Sequence, residues 1–102
     1  MPKLEQLVEL LKADPNDSFI RYGIAMEYAK QGNHAQAIAE FAELIRRDPK
    51  YVPAYFMGGR AYAQNGDVEG ARGLYQRGIQ VAQQVGDSHA AGEIGEALAM
   101  LE

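Results

Sequence analysis

An all-α fold made of antiparallel helix pairs is what this 102-residue sequence predicts. Three observations carry the prediction. Apolar residues recur at the i, i+3, i+4, i+7 spacing of a helix face. The segments so patterned are punctuated by Asp-Pro and by Gly followed by Asn or Asp. The central part of the chain also repeats itself after 34 residues. With 47% hydrophobic and 24% charged residues the chain has enough apolar surface to bury a core, so a folded chain is expected. The length suits one domain over 1–102 and is too short for two of ordinary size.

The first helix is expected over about 3–13. Leu4, Leu7, Val8 and Leu11 form its apolar stripe, with Glu5, Glu9 and Lys12 off it. Pro2 suits an opening turn, and Asp14-Pro15 ends the helix because a residue before proline is pushed out of the helical region. A second helix, over 17–31, starts from the cap oxygens of Asn16 and Asp17 and stops at Gly32. Asn33 caps a third, over 34–47, which sets Ala37, Ile38, Phe41, Leu44 and Ile45 on one broad face. That helix ends in Arg46 and Arg47, well placed against its dipole, before Asp48-Pro49. The fourth helix, over 52–65, stops at Gly66, and Asp67 caps the fifth, over 68–85. After the break at Gly86-Asp87-Ser88 the stripe of Ala90, Ile94, Ala97, Leu98 and Leu101 predicts a last helix over 89–101. The reading is thus of about five helices, with a sixth as a cap if the first is counted as half a repeat.

Shifting the sequence by 34 residues lays Asp14-Pro15 on Asp48-Pro49, Tyr28-Ala29 on Tyr62-Ala63, and Gly32-Asn33 on Gly66-Asp67. It also lays Ala37 on Ala71, Phe41 on Tyr75 and Ile45 on Ile79. Each match has a structural reason. Glycine permits a turn with positive φ, alanine permits close helix approach, and aromatics fill the space between antiparallel helices.

A helix-turn-helix unit of this period resembles the tetratricopeptide repeat. The family pattern runs aromatic, leucine and a small residue, tyrosine, glycine, alanine, aromatic, small residue, proline. Residues 16–49 answer it with Arg21, Ile24-Ala25, Tyr28, Gly32, Ala37, Phe41, Leu44 and Pro49. Residues 50–85 answer with Tyr55, Gly58-Gly59, Tyr62, Gly66, Ala71, Tyr75, Gly78 and Gln83. The resemblance implies a right-handed superhelix: a half-repeat helix in 1–15, repeats in 16–49 and 50–85, and a capping helix in 86–102. Three positions depart from the pattern: Arg21 replaces an aromatic, Leu44 a small residue and Gln83 the proline. Without that proline the fifth helix is expected to run one turn further, through Gln84 and Val85, to Gly86.

The resemblance also implies that the first helix of each repeat lines a concave groove that holds a peptide or helix of a protein partner. On the helical wheel Ile24, Ala25 and Tyr28 face the packing partner. Phe19, Tyr22, Met26 and Ala29 are then turned to the groove, with Pro53, Phe56, Arg60 and Ala63 as the equivalent set, and Ala90 and Ile94 added by the last helix. Aromatic and methionine side chains give large or adaptable contact area, and Arg60 suits a carboxylate. Binding on the order of micromolar is expected of so short an array. Chaperone-binding members hold a C-terminal carboxylate with lysines, asparagines and an arginine. The corresponding sites here are Tyr22, Met26, Phe56 and Arg60, so that ligand is disfavoured.

Other chemistry finds no footing. The net charge of −4 lacks the basic patch of a nucleic-acid binder, and the absence of cysteine removes disulfides and thiolate sites. No apolar run reaches the roughly 18 residues of a membrane span, which points to a cytoplasmic location. His34 and His89 sit at separate helix starts and are read as having no acidic or histidine partner at metal-ligand spacing. Glu40 and Glu43 lie on a solvated face, and the glycine pairs lack the setting of a phosphate loop, so no cofactor, metal or enzymatic role is expected. The alternative function is self-assembly, a homodimer burying Leu10 and Met100. Gly70, Gly73, Gly78, Gly92 and Gly95 fall inside helices at roughly 1 kcal/mol each against alanine, which predicts a less stable C-terminal half.

Overall fold

The computed structural model describes residues 2–101; Met1 and Glu102, the outermost residues of the expected N-terminal and capping units, lie outside the described residues. Six α-helices follow one another: α1 (Pro2–Ala13), α2 (Ser18–Lys30), α3 (His34–Arg47), α4 (Val52–Gln64), α5 (Val68–Gln84) and α6 (Ser88–Ala99). The described residues contain no strand. Helix starts are set by short polar side chains. Asp17, Asn33, Asp67 and Asp87 accept hydrogen bonds from the backbone N–H three residues on, at 3.0, 3.3, 2.8 and 3.0 Å. Among α2 to α6, α4 alone begins without such a cap, and Pro53 in its first turn has no N–H to satisfy.

One turn is used three times. Gly32, Gly66 and Gly86 adopt φ of +79°, +82° and +78°. The N–H of the following residue then bonds back to the carbonyls of Tyr28, Tyr62 and Ala82 at 2.9, 2.9 and 2.8 Å. That following residue is Asn33, Asp67 or Asp87, the cap of the next helix. The same three-residue device therefore closes one helix, opens the next and folds the pair back on itself. Gln83 has the expected consequence: α5 continues through Gln84, with Val85 as its C-cap, and the α5–α6 link is a glycine turn where the earlier link has proline. At the far end α6 stops at Ala99, two residues short of the expected 101, because Met100 already caps it.

The principal extents, 37 × 29 × 19 Å, give a thickness of about two helix diameters, which is a two-layer array. Consecutive helices pack on one another throughout. The core runs in two connected clusters. One gathers Ala25, Ala37, Phe41, Leu44 and Tyr55 between α2, α3 and α4; the other gathers Val52, Ala71, Tyr75, Ala82 and Ile94 between α4, α5 and α6. Two helix-interior glycines are holes for aromatic knobs. Tyr75 of α5 lies where a Cβ on Gly59 of α4 would be, and the Tyr55 Cβ lies 2.6 Å from where a Cβ on Gly78 would be.

The expected penalty for C-terminal glycines is therefore narrower than the residue count implies. Gly70 also has a neighbour in its place, the Tyr62 ring, 2.6 Å from its would-be Cβ. Gly73, Gly92 and Gly95 alone face open space within helices. The terminal helices are held unequally. Ile94 of α6 is a core residue at 1% exposure, whereas Leu4, Leu7, Val8 and Leu11 of α1 are only half-buried. Leu7 rests on α2 through the gap left by Gly23, whose would-be Cβ is 3.6 Å from a Leu7 methyl.

Candidate functional site

A groove of about 740 Å³ runs between α1, α2 and α4. Leu7 and Leu10 of α1 form one wall, Met57 and Ala61 of α4 the other, and Phe19, Tyr22, Gly23 and Met26 of α2 the floor. Five of the expected groove residues meet here: Phe19, Tyr22, Met26, Ala29 and Arg60. Pro53, Phe56, Ala90 and Ile94 do not join them. They line a separate hollow of about 220 Å³ between α4 and α6, while Ala63 packs against the second core cluster. The single concave stripe read from the helical wheel is thus divided into two hollows in the folded chain.

The aromatic residues take different parts. Phe19 is 73% exposed at the groove and belongs to neither core cluster. Tyr22 packs edge-on to Phe41 at 6.1 Å between ring centroids and leans on Tyr51 at 5.6 Å. Phe56 makes the equivalent contact with Tyr75, at 6.5 Å. Tyr22 in the groove and Phe56 in the second hollow are therefore anchors of the fold as well as lining, and their truncation does not separate binding from stability. Burial raises the Tyr22 hydroxyl above its ordinary pKa, with the neighbouring Tyr51 adding to the effect. Burial likewise raises Tyr75, and the nearby Arg60 guanidinium pulls it part of the way back. Arg60 is exposed and takes no carboxylate among the described residues.

Sequence reading missed α1 as a wall of the groove, because a preceding half-repeat was expected only to cover repeat one. It also missed Glu27. Its signal was a polar residue in the stripe Ile20, Gly23, Ile24, Glu27, at a position the 34-residue shift pairs with Ala61. Glu27 lines the groove with its side chain 3% exposed, and its buried Oε2 has no hydrogen-bond partner. His89 corrects the expectation that it lacks an acidic neighbour: its Nε2 lies 3.6 Å from Glu93 Oε1, one helical turn on, and both side chains are exposed. No group of three potential metal ligands occurs among the described residues. None of the described helices is long and apolar enough to cross a membrane.

This arrangement has close counterparts. A tetratricopeptide-repeat-containing protein of Pseudomonas aeruginosa is 28% identical over 91 residues, which span 89% of this chain and 87% of the relative. The solution structure of a tetratricopeptide repeat domain protein from Salinibacter ruber is 36% identical, with a TM-score of 0.82 over 87% of this chain and 90% of that one. PcrH, solved in complex with the chaperone-binding region of PopD, shares the fold at 18% identity. Its TM-score is 0.88, over 96% of this chain and 74% of that one. The sequence pattern of the tetratricopeptide repeat matches residues 22–87, which take in the three glycine turns and both aromatic pairs just described, and the chain belongs to the tetratricopeptide repeat family.

Proposed function

We propose that this chain is a protein-interaction module that seats an apolar segment of a partner protein, helical or extended, in the groove between α1, α2 and α4. Residues 16–49 and 50–85 act as its two repeats, 1–15 as the half-repeat that supplies the second wall, and 86–102 as the cap. The observation that carries the reading is Phe19. A large ring stands 73% exposed at the mouth of an apolar groove while Tyr22, one turn on, is packed into the fold. PcrH, alike in fold, forms a complex with a segment of PopD, a precedent for the fold and not for this sequence.

The test is recovery of bound proteins from a native extract with mapping of the retained segment. Met26→Glu is expected to lose the partner and Met100→Glu to keep it, both with unchanged helical circular dichroism; retention by Met26→Glu overturns the groove. A second reading, self-association, draws support from Met100 at 81% exposure and Leu10 at 54%. Sedimentation over a concentration series separates the two, because a chain that stays monomeric leaves only the groove.

A further inference from the structure

We propose that Glu27 is the polar anchor of this groove, and that the segment seated there carries one lysine or arginine, flanked by apolar residues, whose cation pairs with the otherwise unpartnered oxygen of the Glu27 carboxylate. The inference rests on the groove reading above and adds the chemistry of the occupant.

Glu27 stands on the inward stripe of α2, where the sister helix α4 has the buried Ala61. Its side chain is 3% exposed, and Oε2 has no hydrogen-bond partner. The nearest cation, Lys30, lies 4.0 Å from the other oxygen, beyond hydrogen-bond reach, and is itself 76% exposed. A buried carboxylate oxygen without a donor opposes folding, and a donor carried by a ligand would relieve that cost. Much of the groove that it lines is apolar, with Leu7, Met26, Met57 and Ala61, and Gln64 is its one neutral amide. In such a poorly screened setting a cation is held more strongly than at the surface, and an apolar residue in its place leaves the oxygen unpaired. Lys3, Lys30 and Arg60, also along the lining, are long exposed side chains that water already solvates. They place no comparable demand on a ligand.

The experiment selects binders from a displayed random peptide library on the wild-type chain and keeps those that Met26→Glu no longer binds. The expected groove binders share one lysine or arginine among apolar residues, and replacing it with norleucine weakens binding by about tenfold. Glu27→Gln is expected to weaken them by a similar factor, to show no further loss with the norleucine peptide, and to melt at or above the wild-type temperature. Groove binders without a shared basic residue, or with a shared acidic one, overturn the inference and leave the groove reading standing. So does unchanged affinity of the norleucine peptide, a readout that needs no variant protein to fold. A Glu27→Gln chain that melts well below wild type makes Glu27 a structural residue and also overturns it. A library that yields no Met26-dependent binder defeats the groove reading itself, and this inference with it.

Discussion

At the place in the 34-residue frame where α4 sets Tyr55, α2 sets Arg21, and both side chains reach the same target. The Tyr55 hydroxyl donates to the Pro49 carbonyl at 2.6 Å, and the Arg21 guanidinium donates to the Pro15 carbonyl at 3.4 Å. Across from Tyr55 the facing helix supplies Gly78 and Leu74; across from Arg21 the equivalent positions are Leu44 and Glu40. Arg21 pairs with Glu40 at 3.4 Å, whereas Tyr55 lies under the Arg77 guanidinium, 5.5 Å above its ring. The α4–α5 pair is thus locked by an aromatic knob over a glycine, and the α2–α3 pair by an ion pair beside a leucine. The departures at Arg21 and Leu44 are on this comparison expected to be coupled, as one packing unit: a flat ring needs the glycine, and a guanidinium that turns to Glu40 would leave room for a leucine.

The largest expected effect breaks that unit from the leucine side. Leu44 is 1% exposed, so Leu44→Gly opens a cavity and places a glycine in mid-helix. A loss of about 4 kcal/mol is expected by urea unfolding. If the two positions are coupled in this way, Arg21→Tyr in the Leu44→Gly background restores at least about 1 kcal/mol, although Arg21→Tyr alone is destabilising. Strict additivity of the two changes would show that the helix pairs differ by accident at each position.

Next in size is the glycine side. Gly78→Ala sets a methyl 2.6 Å from the Tyr55 Cβ, an atom that moves only with the backbone. It is expected to lower stability by about 2 kcal/mol. Gly92→Ala, in the open, is expected to raise it by about 0.5–1 kcal/mol. Thermal melts of the two variants decide whether Gly78 is a packing element and Gly92 only a weak helix former. Equal shifts of the same sign would remove the distinction.

Much of the fold is legible in the sequence for a physical reason. Caps, glycine turns and the period are local, and each is written in a few adjacent residues, so Asp17, Asn33, Asp67 and the glycines at 32 and 66 read directly as helix ends. The right-handed stack is legible through the family resemblance that the repeated Tyr28/Tyr62 and Phe41/Tyr75 help to carry. What is not legible depends on how far helices lie apart. The wheel assigns Phe56 and Tyr22 to one face, but only the folded chain shows that one opens toward α6 and the other toward α1. Glu27 escapes because a glutamate on a helix is ordinarily solvated, and its burial comes from the α1–α2–α4 packing around it.

The smallest effect tests the same comparison through acid. In the frame, Glu43 of α3 is matched by Arg77 of α5. Hydrogen bonds from Arg46, then Arg47, hold the Glu43 carboxyl down at about 2, well below the usual carboxylate range. Arg47 also donates to the Pro15 carbonyl at 3.4 Å and lies 3.5 Å from Asn16 Oδ1, so the cluster ties α3 to the α1–α2 link. A carboxyl whose folded pKa is depressed contributes stability above its unfolded value, and that contribution is lost as pH falls from the ordinary carboxylate range toward about 2. Over that window the wild type should lose slightly more stability than Glu43→Gln, measured as urea midpoints. The gap should shrink in high salt, because the cluster is at the surface. The α4–α5 pair has an arginine over a ring in that place, with no carboxyl to protonate, so Arg77→Gln should leave the acid limb of the titration unchanged. Parallel curves for wild type and Glu43→Gln would mean that the cluster adds nothing to α2–α3, and that the polar ties of that pair reside in Arg21 with Glu40 and in the Ser18 hydroxyl, which donates to Asp48 at 2.6 Å.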